Sequence, residues 1–243
     1  MSFGPAGRHC GMTNSIQLQA DVNPRTWLLT IHGKTVQSGV DATRQMHNEV
    51  AGGERNIAAA RSLGDLSHVV YVPVGTTTTT SDLLFLDQWN SLAGLAAFFG
   101  NEHVQKGGAK VFASREPAVW DLADGFPRFH MPPPVGRNDR FIGMVRGPVK
   151  SRDVARAAFE TVAQKTLNDA RARGLLSREY YFRVPDPGQP ASLEILGFDT
   201  WHCAKGMQEH YGTGVDLQYL KDVFTAKPET GIWERPAGTW SEW

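Results

Sequence analysis

The 243-residue chain carries 25 Lys plus Arg against 25 Asp plus Glu and is 41% hydrophobic, so it has the material for a packed core and no excess charge. Balanced charge weighs against a nucleic-acid partner, and the apolar runs fall short of the ~20 residues that cross a bilayer. Two cysteines, Cys10 and Cys203, exclude a disulfide framework, and a cytoplasmic protein is expected.

Residues 1–24 are Gly-rich and polar without periodicity and read as a flexible arm. Trp27–His32 is strand-like by its aromatic and β-branched content, and Val40–Ser62 follows as a helix with a soft spot at Gly52-Gly53. Ser67–Pro73 is a second strand leaving through a run of threonines. A third strand, Leu83–Trp89, runs into a helix started by Ser91 and reaching Gly100, and Ala109–Ser114 supplies a fourth strand. This βαββαβ order fills residues 25–125. After a Pro-rich linker, 126–138, it recurs in 139–243: strands at Arg140–Val145, Tyr180–Pro185, the stretch ending Asp199-Thr200-Trp201, and Asp222–Thr225, with a helix at Asp153–Arg173.

A constant offset of 112 residues relates the two halves. It pairs Asp87 with Asp199, Trp89 with Trp201, Gly94 with Gly206, Gly100 with Gly212, Val50 with Val162 and Val72-Pro73 with Val184-Pro185. βαββαβ is the ferredoxin-like layout, whose antiparallel sheet leaves one face to be covered. The expected fold is α+β: two tandem ferredoxin-like repeats packed sheet to sheet as an intrachain α+β barrel.

The Asp-x-Trp strand end, followed by a short helix with Gly-Leu or Gly-Met, resembles the dimeric α+β barrel superfamily over about residues 27–233. That grouping includes antibiotic-biosynthesis-monooxygenase-like, EthD-like and stress-responsive barrels, and tandem haem-binding relatives such as chlorite dismutase. The resemblance implies a small-molecule ligand, monooxygenase-like or isomerase/lyase-type chemistry on a small aromatic or polyketide-like compound, and a monomer or homodimer. No cofactor is expected. Haem is the alternative, with His210 or His202 as axial ligand; a non-catalytic ligand-binding barrel is a further one.

Alternation along strands sorts the faces. The apolar pairs Leu84/Leu86 and Leu196/Phe198 are expected to meet the helices, which sends Phe85, Asp87 and Trp89, and Gly197, Asp199 and Trp201, into the barrel. Val70 and Val72 face the helices, so Val69, Tyr71, Tyr181 and Arg183 face inward. In strand one Thr30 and His32 point inward, opposite Ile142 and Met144 of the second half. Buried charges need partners. Asp199 with Arg183, and Asp87 with His32 or Tyr71, would serve structurally, or both aspartates sit at solvated strand ends. The functional reading makes His32, Asp87 and Tyr71 catalytic, the carboxylate orienting the imidazole, with Trp89, Tyr181, Arg183, Asp199 and Trp201 binding substrate. His47, opposite Phe159, and His68, opposite Tyr180, read as structural, and His103 and His130 as loop residues. His9-Cys10 and His202-Cys203 lack the spacing of a structural zinc site, so no metal is expected.

Overall fold

The computed structural model describes residues 25–76, 80–130, 141–186, 188 and 192–243. The arm at 1–24, part of the threonine run, the Pro-rich 131–138, Arg140 at the start of the expected strand and His9-Cys10 lie outside them. In chain order the elements are β1 (Trp27–Thr35), α1 (Val40–Ala51), α2 (Glu54–Ser62), β2 (Asp65–Pro73), β3 (Asp82–Trp89), α3 (Leu92–Phe99), α4 (Glu102–Val111), β4 (Phe112–Leu122) and β5 (Phe129–His130). The second half continues with β6 (Phe141–Pro148), α5 (Arg152–Ala172), β7 (Leu175–Arg183), β8 (Glu194–Trp201), α6 (Ala204–Gly212), α7 (Val215–Leu220) and β9 (Glu229–Glu234).

Each half is an antiparallel four-stranded sheet with helices on one face. The strand order is β4-β1-β3-β2-β9-β6-β8-β7-β5, and β4 also pairs with β7, which closes the ring. Two short seams join the halves: Val72 and Pro73 against Glu234 and Trp233, and Trp120–Leu122 against Arg183–Tyr181. The result is the expected intrachain barrel. Its interior is packed by Leu28, Leu84, Leu86, Trp120, Ile142 and Leu196, as expected for a ring of about eight strands.

The repeated landmarks have local causes. Ser91 caps α3 by accepting from the Gly94 N–H at 2.9 Å, and Cys203 takes the same place before α6. A Cβ at Gly94 would lie 1.7 Å from the Leu63 carbonyl oxygen, and one at Gly206 1.8 Å from that of Arg173. Only glycine lets the helix approach the preceding turn so closely.

The gapless offset is corrected by the ladder registers. With β3 and β8 matched at 112, β2 and β7 match at 110: His68 pairs with Asp87 as Arg178 pairs with Asp199. β1 and β6 match at 114, so the counterpart of His32 is Arg146 rather than Met144. The change in β2 comes from Gly52-Gly53, which splits the first helix into α1 and α2 where α5 runs unbroken. Two further expectations fail. Residues 102–111 form α4, with β4 starting only at Phe112. The last strand is Glu229–Glu234, while Phe224 makes an isolated bridge to Val149. His103 and His130, expected in loop or linker, belong to α4 and β5.

Candidate active site

The face assignment holds in β1, β2 and β7 and is inverted in β3 and β8. Leu84, Leu86 and Leu196 point into the barrel, with Phe198 packed against the same cluster. Phe85 and Trp89 pack beneath the helices of the first half, and Trp201 beneath those of the second. Asp87 and Asp199 go with them.

His32 and Asp87 therefore lie on opposite faces of the sheet and do not form a pair. His32 sits at one mouth of the barrel, in a cavity of about 340 Å³ shared with Asp82, Arg146, Glu229 and Trp233. Its ring stands edge-on to Trp233 at 5.1 Å, with Asp82 and Glu229 oxygens at 3.5 and 3.8 Å. Tyr71 and Tyr181 are interior as expected; Arg235 lies 5.6 Å over the Tyr71 ring, and the Tyr181 hydroxyl donates to Glu179 at 2.6 Å. Arg183 pairs with Glu194 and Asp186, not with Asp199. These residues are dispersed because the barrel interior is filled by apolar side chains and its polar cavity lies at the mouth.

The larger cavities lie instead between each sheet and its own helices. The first half holds about 630 Å³ and the second about 360 Å³. They are equivalent places: Phe85, Asp87, His47, Val50 and Phe99 line one, and their counterparts Gly197, Asp199, Phe159, Val162 and Tyr211 line the other.

In the second cavity the acid is locked. Arg178 holds Asp199 through two hydrogen bonds, 2.8 and 2.7 Å, and the Tyr211 hydroxyl donates to the same carboxylate at 2.9 Å. Arg178 also reaches Asp216 at 3.3 Å, which His210 contacts at 3.0 Å. Burial would raise the Asp216 pKa, but His210 and Arg178 outweigh it and hold it low. A buried bidentate pair of this kind fixes geometry.

The first cavity is different because His68 stands where Arg178 stands. The His68 ring lies 2.6 Å from the Asp87 carboxylate through Nδ1 and 3.0 Å from His47 Nε2 through its own Nε2. Hydrogen bonds fix the protons. The Asn48 amide donates to the Thr239 carbonyl at 2.9 Å, and its oxygen accepts from the Ser241 N–H at 2.8 Å. His47 Nδ1, 3.2 Å from that oxygen, must donate to it. His47 Nε2 is then the acceptor for His68 Nε2–H, and His68 Nδ1–H points at Asp87. His68 is thus the imidazolium partner of Asp87, and His47 is neutral. The electrostatics agree. Burial opposes charge on His68, but Asp87 outweighs it and raises the pKa. Burial, together with the His68 charge, drives His47 down to about 3.

The Asp87–His68–His47 hydrogen bonds leave neither of these two rings a free lone pair. The available base is Asp65, at the bulged start of β2 and 4% exposed. Its Oδ2 accepts from Trp243 Nε1 at 3.2 Å, whereas its Oδ1 has no hydrogen-bond partner among the described residues. Burial and then the Asp87 charge raise its pKa from 3.8 to about 7, against the opposing pull of His68. The segment from Thr239 to Trp243 closes this end: Trp243 stacks on His68 at 4.8 Å and exchanges backbone hydrogen bonds with it, and Trp240 packs on His47. His103, Lys106, Lys110 and Arg115 line another part of the same cavity.

Asp65 gave no signal in the repeat map. The offset of 112 set it against Ser177, but its structural counterpart is Leu175. His68 and His47 were read as structural, and the inverted face of β3 hid Asp87, the partner of His68.

Of the two histidines considered for haem, His210 has one ring nitrogen on Asp216 and the other on Asp169, so neither is free; His202 bonds the Gly174 carbonyl through Nδ1 and does not line the second cavity. No histidine lines the second cavity among the described residues. Nor does any group of three or more His, Cys, Asp or Glu side chains there have metal-binding geometry. No described helix is long and apolar enough to cross a membrane.

No protein-family model and no curated protein matches the chain. Among solved structures it is similar to an anthrone oxidase-like protein, with a TM-score of 0.60 at 11% identity over 88% of this chain and 92% of that one. It is also similar to a candidate monooxygenase from Fusobacterium nucleatum subsp. nucleatum, with a TM-score of 0.55 at 11% identity over 87% and 93%. A candidate monooxygenase from Lactobacillus acidophilus gives 0.53 at 10% identity over 86% and 93%. The chain shares the fold of these structures, with two ferredoxin-like halves closed into one α+β barrel.

Proposed function

We propose that the cavity of the first half is the active site of an acid–base oxidase acting on a small, flat aromatic or polyketide-like compound, with Asp65 as the general base. One observation carries this reading: Asp65, a buried carboxyl poised near neutrality with one oxygen unpartnered among the described residues, lines a cavity of about 630 Å³ walled by Ile31, Phe85, Phe98, Phe99 and Phe112. A base works best when its pKa lies near the working pH, and an apolar pocket with few polar groups suits an aromatic ligand. The His68 imidazolium beside Asp65 opposes the rise of its pKa, while the Asp87 charge adds to the rise by more.

Anthrone-type compounds fit this chemistry, a choice that the anthrone oxidase-like neighbour supports. Asp65 takes a proton from the ring methylene, leaving an enolate. One electron passes to dioxygen, and recombination forms a C–O bond. The resulting peroxide is protonated; loss of the remaining C–H proton and cleavage of the O–O bond give the ketone. The balance is CH2 plus O2 to C=O plus H2O.

Oxygen uptake with anthrone, followed by electrode across pH, tests the proposal. The expected profile rises through about pH 7, the range in which Asp65 ionises, and Asp65→Asn lowers the rate by about 10²–10⁴, the usual yield of a general base. Uptake by Asp65→Asn equal to that of the parent protein overturns it. Proton exchange at the methylene without oxygen uptake places the protein with isomerases.

A further inference from the structure

The two cavities differ in sign along the helix that follows the capped one. In the second half that helix is α7, whose Asp216 turns to Arg178, and no lysine lines the cavity among the described residues. In the first half it is α4, and His103, Lys106, Gly107 and Lys110 all line the cavity. Residues spaced in this way share one face of a helix. Gly107 lets that face close on α1, since a Cβ there would lie 2.8 Å from Val50 Cγ1. Arg115 of β4 adds a further cation to the same lining. Besides Asp65 and Asp87, the acid in that lining is Glu49 of α1, whose carboxylate accepts from Gln45 at 3.2 Å.

Arg115 is held in place without being neutralised. Its Nη2 donates to Gln105 Oε1, and the Gln105 amide donates in turn to the Phe99 carbonyl. The guanidinium lies against the bare backbone of α4 at Gly108, where a Cβ would be 1.9 Å from Nη1. Its partner is thus a neutral amide oxygen, and among the described residues no carboxylate reaches Arg115 or Lys110. Lys106 is matched by Glu102 at 2.7 Å. Arg178 of the second half, by contrast, is taken up by Asp199 and Asp216. A guanidinium presents five N–H donors in a fork that fits a carboxylate, and most of those of Arg115 are unused. Arg115 also stands far from Asp65. It is in register with Gly33 and through it with Leu83, whereas Asp65 is in register with Trp89. Leu83 and Trp89 are 89 − 83 = 6 residues apart on β3, about 20 Å at ~3.3 Å per residue. A flat ligand whose reacting carbon meets Asp65 therefore extends its other end towards α4 and Arg115.

We infer that the ligand of the first cavity is an aromatic carboxylic acid, its carboxylate held by Arg115 and its rings lying among Phe85, Phe98, Phe99 and Phe112. This deepens the proposed function by adding an anionic group to the aromatic substrate, and it rests on that reading for which cavity is the active site. Arg115 becomes the specificity-determining residue, and Lys110 in the same lining adds to the attraction. Gln105 and Gly108 act through Arg115 as positioning residues, one by bonding the guanidinium and the other by leaving room for it.

Calorimetric titration of the full chain with 2-naphthoate and with 2-naphthamide tests this without turnover, at about pH 8, where the acid is ionised and the amide keeps its shape without its charge. The expected result is about tenfold tighter binding of 2-naphthoate, the share of one charge-assisted hydrogen-bonded contact, and a preference that shrinks as salt is added. Arg115→Gln should abolish the preference. Gly108→Ala keeps every charge but puts a methyl where Nη1 lies, so it should weaken the preference as well, while alanine favours the helix. Equal affinity of the parent protein for the two compounds overturns the inference, as does a preference that survives Arg115→Gln. Because binding alone is read, a naphthoate preference without any anthrone oxidation would refute the acid–base oxidase and leave the anion site standing. Oxidation of anthrone with equal affinities for the two probes would strike the anion site alone.

Discussion

Replacing Asp65 with Asn should change the pH dependence of stability in a direction that the buried carboxyl dictates. Asp65 titrates at 3.8 when unfolded and at about 7 when folded. Between those values the folded state binds the extra proton, so stability is fully present below about pH 4 and is lost as pH rises through about 7. A rise of this size corresponds to on the order of 4 kcal/mol. His47 acts in the opposite sense. Its folded value of about 3 lies below the ordinary 6.5, so it withholds stability at low pH and returns it as pH rises towards 6.5. In the parent protein the two slopes largely cancel between about pH 4 and 6.5, so the informative quantity is the difference between variant and parent. Urea unfolding followed by tryptophan fluorescence should show Asp65→Asn gaining on the parent by a few kcal/mol between about pH 5 and pH 8. A difference that stays constant over that range refutes the assignment of a near-neutral carboxyl.

His47→Phe, which copies Phe159 of the second half, should fold and should leave the Asp65 slope uncancelled, read as a melting temperature that falls more steeply from about pH 4 to about pH 6.5 than that of the parent. Arg178→Met should cost about 3–5 kcal/mol in urea unfolding, because it strands Asp199 beneath the helices; an unchanged midpoint would mean that the buried pair is not what holds that carboxylate.

The sequence exposed the duplication, the antiparallel layout, the two-sheet closure and the facing of β1, β2 and β7, because each rests on anchors or on alternation. It misled at β3 and β8 for a physical reason. Leu84, Leu86, Phe85 and Trp89 leave both faces of β3 apolar, so the match of Leu84 and Leu86 with Leu196 and Phe198 decided the assignment, and it sent Asp87 into the barrel. The barrel is filled, and the acid is cheaper beneath α1, where His68 can carry the counter-charge. The second half repeats the solution with Arg178. The two-residue slip at Gly52-Gly53 was hidden because Val72-Pro73 and Val184-Pro185 match at the wrong offset. That coincidence concealed the His68–Arg178 equivalence and set Asp65 against Ser177. Asp65 itself was not legible: a lone aspartate at a strand start looks like a solvated turn residue until Trp243 and the Thr239–Trp243 segment are seen to bury it.

The claim that the chemistry belongs beneath the helices of the first half, and not at the barrel mouth, is tested most directly by comparing Asp65→Asn with His32→Ala in the same oxygen-uptake assay. The account predicts a fall of about 10²-fold or more for Asp65→Asn and a rate within a few-fold of the parent for His32→Ala. Loss of turnover in His32→Ala with retention in Asp65→Asn would contradict it and return the site to the barrel mouth.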